Sequence, residues 1–305
     1  MTAIKILLHA LTPLHAGGGE AESGIEQAIA RDRATGRPLL PAASLKGVLR
    51  EAARKSMNPS MLKCIFGPDT QGASEHRGGV AFGDANLLVL PVRSVCGTFA
   101  WVTCSFVLRH WSQLHTSIGG LDKIGLTIPD PPTANNALIC DGSAIVATAR
   151  NGQSRVYLED LDLLVTKEAA TGAWAEHFSS LVFPGVAWES WRTRFAQRFC
   201  IVHDDVFSFL ADYATQLDPH VALSSDKRVE NFWHEESLPS ESILGSVCVI
   251  DPLPSMQLEH RAIANALRSI CVNSLQFGGH ETVGRGLSRV VFGGKVFDLP
   301  TSETA

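Results

Sequence analysis

The residues from 15 to 47 read HAGGGEAESGIEQAIARDRATGRPLLPAASLKG. An imidazole, His15, stands just before three glycines, and carboxylates follow at Glu20, Glu22, Glu26 and Asp32. Carboxylates hold divalent cations or accept protons, and an imidazole titrates near neutrality, so the stretch has the parts for metal or acid–base chemistry. Glycine lets a backbone approach a phosphate closely. The stretch ends in Ser-Leu-Lys-Gly, where a serine at a helix start offers free N–H groups, the positive end of the dipole and a nearby lysine. A second glycine-rich segment, FGGHETVGRG at 277–286, places Arg285 between two glycines. Neither loop has the G-x-G-x-x-G or G-x-x-x-x-G-K-[ST] spacing of a dinucleotide or nucleoside-triphosphate site.

These loops need elements to hold them. Alternation of Ile4, Ile6 and Leu8 with Lys5 and Leu7 predicts a first strand over 3–14 rather than a signal peptide. Ser44 is expected to cap a helix over 44–56, with Leu45, Val48, Leu49 and Ala52 on one face. On another face Lys46, Arg50 and Arg54 recur at i, i+4 and i+8, which makes either a basic stripe for an anion or an ordinary solvated surface. The polar segment 69–79 reads as a loop. After it, GVAFGDANLLVLPVR reads as a strand, a break at Pro91 and a second extended piece, with Asp84 as a turn residue. A strand passing into a helix is expected in TFAWVTCSFVLRHWSQL. The low-charge region 119–155, with Pro129, Pro131 and Pro132, reads as a loop-rich insertion. Helices are expected over 188–197, 206–215 and 258–270. The region 222–251 reads as strand, long charged loop, strand. This irregular alternation fits an α+β domain of ferredoxin-like or RRM-like type.

Composition narrows the function classes. Of 305 residues, 45% are apolar and 19% charged, with no apolar run long enough to span a membrane. The net charge of −5 argues against a freely basic nucleic-acid binder, while leaving room for a narrow basic groove. Seven dispersed cysteines without a C-x-x-C pair suit reduced core thiols in a cytoplasm rather than a metal site.

The ordered pattern L-H-A-G-G-G-E, G-I-E-x-x-I-x-R and T-G-x-P-x-x-P-A-A-S-L-K-G resembles the start of RAMP-superfamily proteins of CRISPR effectors. LQFGGHETVGRGL resembles the glycine-rich loop those proteins carry near their end. HRGGVAFGDANLLVLPVRSVCGTFAWVTC and ENFWHEESLP are similar in particular to the repeated backbone subunits of type III-B (Cmr) complexes. These matches run through the whole chain. They imply one domain over 1–305: a modified ferredoxin-like or RRM-like palm with inserted elements near 57–80 and 119–155 and a thumb-like hairpin near 222–240.

The resemblance also implies an RNA-guided RNA-binding subunit whose copies form a helical filament on CRISPR guide RNA beside other Cmr subunits. Complementary target RNA would be cut at regular intervals, where the thumb displaces a nucleotide. The 2′-OH attacks the adjacent phosphate, with a divalent metal, Mg²⁺, required. RNA contacts are expected from Ser44, Lys46, Gly47, Arg50 and Arg54 on the first helix and from Gly278, Gly279, Gly284, Arg285 and Gly286. Phe232 and Trp233 are expected as stacking faces of the thumb. The family's key aspartate falls on Glu26, whose extra methylene moves the oxygens by roughly 1 Å. His15 matches a family histidine, and Glu235 and Glu236 match a Glu-Glu pair that helps hold metal. Two readings of Glu26 stay open, a working nuclease and a non-catalytic scaffold. A more distant rival is a stand-alone endoribonuclease that processes precursor CRISPR RNA.

Overall fold

The first strand, β1 (Thr2–Ala10), runs between two antiparallel neighbours and is buried on both faces, Leu7 as deeply as Ile6 and Leu8. A central strand covered on both sides loses the clean alternation of a half-exposed one. In the computed structural model, residues 1–18, 25–69, 76–253 and 258–297 are described. Glu20 and Glu22, and most of the expected 69–79 loop, lie outside them. The chain leaves β1 at Ala10, four residues earlier than expected, because Leu11 and Thr12 turn to donate their N–H groups to the Leu287 carbonyl.

Short β2 (Leu39–Leu40) leads into α1 (Ala42–Arg54) and α2 (Pro59–Phe66). Leu45, Leu49 and Ala53 form the buried stripe of α1, spaced one turn apart. Ser44 does not cap this helix. Pro41 precedes its first turn, and the Asp84 carboxylate, far along the chain, accepts from the Ala42 N–H at 2.7 Å. Asp84 thus caps a distant helix.

β3 (Val80–Phe82) and β4 (Ala85–Arg93) are separated at Gly83 and Asp84, and Pro91 does not break β4. β13 (Ile243–Ile250) ends opposite Val89, so at Pro91 only β5 (Phe99–Cys104) flanks β4, a setting that tolerates a missing N–H. α3 (Ser105–Ser117) follows β5 directly, as expected. The low-charge region is irregular up to Asn135 and then supplies β6 (Asn136–Ile139), β7 (Val146–Thr148) and the start of β8 (Ser154–Leu158).

β9 (Leu161–Lys167), α4 (Ala169–Val182), α5 (Glu189–Arg198), β10 (Phe199–Val202) and α6 (Asp204–Tyr213) come next. His203 caps α6, accepting from the Asp205 N–H, so this helix starts two residues before the expected 206. α7 (His260–Ser269), β14 (Leu275–Gln276) and β15 (Leu287–Gly293) complete the order.

Among the described residues one mixed sheet of 13 strands runs β14-β15-β1-β13-β4-β5-β10-β6-β9-β8-β7, with β2 on β4 and β3 on β13. β5–β10 and β6–β9 pair in parallel. A separate antiparallel pair, β11 (Gln216–Leu223) and β12 (Val229–Ser237), is the thumb hairpin. The expected charged loop is therefore mostly strand β12. Its outer half, Val229 to Phe232, is exposed, so it carries no alternation against a core. Its inner end, Glu235 to Ser237, plunges into the body of the domain.

Candidate active site

The segment after the first glycine loop lies along the inner end of the thumb. Gln27 donates its N–H to the His234 carbonyl at 3.2 Å and accepts from the Glu236 N–H at 2.9 Å. This pairing sets Glu26 at the thumb's root. Its Oε2 accepts from the His234 N–H at 3.0 Å, and the His234 ring Nδ1 lies 3.6 Å away. The backbone N–H of His234, then that of Glu26 itself, hold the carboxyl below the usual carboxylate range. Glu26 is therefore ionised near neutrality, with its side chain half exposed at 52%.

Adjacent residues of a strand point to opposite faces, which parts Glu235 from Glu236. Glu236 is buried: Oε1 meets Arg31 Nη2 at 2.5 Å and Oε2 accepts from the Ile29 N–H at 3.1 Å. The Glu236 carbonyl accepts from His15 Nδ1 at 2.7 Å. A neutral His15 ring with its proton on Nδ1 leaves Nε2 bare, and that nitrogen faces Gly17, where a Cβ would sit 3.3 Å away.

On the other face Glu235 is fully buried and ringed by cations and imidazoles. Arg285 Nε stands 3.2 Å from Oε1, while His220 Nε2 and His280 Nε2 stand 3.0 and 3.6 Å from Oε2. The His220 ring approaches Glu235 without hydrogen-bond alignment. Arg285 also grips Asp218, which lies directly across the hairpin from Glu235. His280 packs its ring on the edge of His15, centroids 5.0 Å apart. The thumb is thereby fastened to the C-terminal glycine-rich loop. Asp218, His220, His234 and His280 belong to this site and were missed in the sequence. The signal was the pairing of DPH with WHE across a hairpin, which is invisible when β12 is read as a loop.

The carboxylates expected as metal ligands do not converge. Glu26 and Glu236 are tied to the thumb and to Arg31, and Glu235 faces Arg285 on the opposite side. Among the described residues no group of three or more His, Cys, Asp or Glu is placed to hold a metal ion. These residues do not fit a metal centre built by this chain alone. The cysteines are free; Cys104, Cys200, Cys248 and Cys271 are buried, and burial pushes the Cys200 and Cys271 thiols up to about 12.

The expected RNA contacts fall into two kinds. On α1, Ser44 and Gly47 are exposed in the first two turns, and a Cβ at Gly47 would meet open space. Lys46 is half-buried, and burial, then Arg50, lower its pKa. Arg50 is paired with Asp69 at 2.7 Å, and Arg54 with Glu51 at 2.9 Å, so the stripe is partly neutralised. In the C-terminal loop the glycines serve the protein first. Gly278 has φ +78° and a Cβ there would strike the His15 carbonyl at 2.1 Å; Gly286, φ +75°, would strike that of Phe277. Gly279 faces the His15 ring, and only Gly284 opens on free space among the four. Arg285, held by two carboxylates, is no free phosphate clamp. Phe232 is half exposed, whereas Trp233 stacks on His220 with centroids 5.4 Å apart.

A match to the RAMP superfamily covers residues 7–289, nearly the whole chain. The chain belongs to the RAMP superfamily. Among its RAMP relatives, the CRISPR system Cmr endoribonuclease Cmr4 of Pyrococcus furiosus is 29% identical over 301 residues, covering 95% of each chain. The crystal structure of oligomeric Cmr4 from Pyrococcus furiosus matches 96% of this chain and 98% of that one, at 27% identity and a TM-score of 0.72. A chain of type III-B Cmr-beta bound to cognate target RNA, seen by cryo-EM, matches with a TM-score of 0.69 over 98% of each chain. At 19% identity that likeness is one of fold. The α+β architecture of this RAMP chain, a large mixed sheet with helices, matches the fold of these relatives. No helix among the described residues is long and apolar enough to cross a membrane.

Proposed function

We propose that this RAMP protein is an RNA-guided backbone subunit of a type III-B CRISPR effector, assembling in copies on guide RNA and cutting complementary target RNA at regular intervals. The observation that carries the reading is the placing of an ionised, half-exposed carboxylate, Glu26, at the root of the thumb beside the His234 imidazole. The similarity to an endoribonuclease of the Cmr system supports RNA as the substrate class.

Attack by a 2′-OH needs an acceptor for its proton and a donor for the leaving oxygen. Glu26 can accept or orient that hydroxyl, because its carboxylate stays charged and its side chain is half exposed. His234, 41% exposed in its side chain, sits on the same side and can hand a proton to the leaving oxygen. His15, held by the Glu236 carbonyl, orients the glycine loop rather than facing solvent. The exposed start of α1 offers N–H groups, Ser44 and Lys46 to the RNA backbone.

One observation favours the scaffold reading: the Glu26 carboxylate is tied to the thumb backbone, as a purely structural group would be. Mixing the protein with guide RNA and its partner subunits separates the readings. The expected result is a particle whose mass grows with guide length and which cuts complementary RNA into an evenly spaced ladder. Assembly without a ladder would leave the scaffold, and a specific cut of free repeat RNA by the lone subunit would overturn both.

A further inference from the structure

In a stacked A-form strand the 2′-OH, the phosphorus and the leaving oxygen are out of line. Cutting by 2′-OH attack therefore requires one nucleobase beside the cut to leave the stack, and that base needs a place to go. On this point the inference rests on the cutting activity proposed above.

Beside Glu26 lies a groove of about 940 Å³, lined among others by Ile25, Ala28, Arg31, Asp212, Tyr213 and Leu217. Ile25 precedes Glu26 and Ala28 follows it by two residues, so the groove borders the segment that carries Glu26, and the thumb carboxylate in its wall is Glu236. Tyr213, at the end of α6, is 72% exposed and is braced by Phe209 one turn earlier, ring centroids 4.7 Å apart. Leu217, at the foot of the thumb, is half exposed across from it.

The charge of the groove selects its occupant. Its cation, Arg31, is bound to Glu236 and Asp212 and to the carbonyls of Gly36 and Ala211. Two carboxylates against one guanidinium repel a phosphate. An uncharged planar group with an aromatic face and polar edges suits this lining, because Tyr213 and Leu217 offer flat apolar surface and the exposed Asp212 carboxylate offers a hydrogen-bond acceptor.

We propose that this groove receives the nucleobase displaced at the cut, with Tyr213 as its stacking face.

The test uses the complex assembled on its guide and complementary RNA carrying 2-aminopurine at successive positions, with 2′-deoxyribose at the cut site to remove the nucleophile. At the displaced position the fluorescence should be quenched in wild type and in Tyr213→Phe, and rise severalfold in Tyr213→Ala. With all-ribose target, Tyr213→Ala should slow single-turnover cutting about fivefold, the lower end of what one stacked base is worth, with target affinity unchanged within about twofold. Equal fluorescence in wild type and Tyr213→Ala at every position would overturn the proposal. So would a Tyr213→Ala variant that shortens the assembled particle and leaves fluorescence unchanged, since that surface would then be a contact between copies. If wild type fails to cut while the fluorescence still depends on Tyr213, the base site stands and the cutting activity falls.

Discussion

The Glu26 carboxylate and the His234 N–H are joined by a 3.0 Å hydrogen bond across 208 residues of sequence. The bond couples the loop after β1 to the thumb and keeps the carboxylate charged. The sign follows from the lowered pKa. Whatever Glu26 adds to stability is present above the unfolded carboxylate range and lost only as pH falls through its folded value. Glu26→Gln retains an acceptor for His234 and loses the charge. Single-turnover rates should fall by about 10²-fold, the scale of one proton-transfer group, while melting shifts little.

Arg285 and Glu235 fasten the thumb. Removing a partner from a buried pair leaves an uncompensated charge, so Arg285→Ala should cost about 3 kcal/mol in denaturant unfolding. Arg285→Lys should recover only part of it, since one ammonium cannot serve Glu235 and Asp218 from two sides as the guanidinium does. Hydrogen exchange should show β11 and β12 opening first in both variants.

Lys46 is the cation of the α1 stripe without a carboxylate partner among the described residues, because Arg50 and Arg54 are taken by Asp69 and Glu51. Lys46→Glu should weaken guide-RNA binding and lower the salt-dependence slope by about 0.7 for each phosphate that is no longer neutralised. Its melting temperature should match wild type. An unchanged slope would make the stripe a solvated surface.

His177 gives the acid side of the stability profile. Burial, with Lys5 and His115 nearby, depresses its pKa to about 4, so the folded state binds fewer protons than the unfolded between about 4 and 6.5. Stability should fall as pH drops through that window, by about 3 kcal/mol in total from this group. Replacing His177 by Gln should flatten the slope there; an equally steep profile would remove His177 as its source.

The family is legible because its motifs run in order through the whole chain, and α1 because apolar residues one turn apart announce a helix. Other features depend on partners far away. The cap of α1 is Asp84, and no local pattern names it. The thumb strand β12 is hidden because Val229 to Phe232 are exposed, so no core imposes alternation on VENFWHEES. In a loop, Glu235 and Glu236 would be adjacent solvated carboxylates. The strand instead sends them to opposite faces, and hairpin register brings Asp218 across from Glu235, with Arg285 between them. Glycines of the C-terminal loop suggest close approach to RNA, yet Gly278 and Gly286 are required by contacts to His15 and Phe277.

The most direct measurement sets wild type, Glu26→Ala and Glu26→Asp side by side, each assembled on guide RNA and given end-labelled complementary RNA in Mg²⁺ buffer. The account predicts an evenly spaced ladder from wild type and none from Glu26→Ala at matched assembly. A ladder from Glu26→Ala as fast as that of wild type would contradict it.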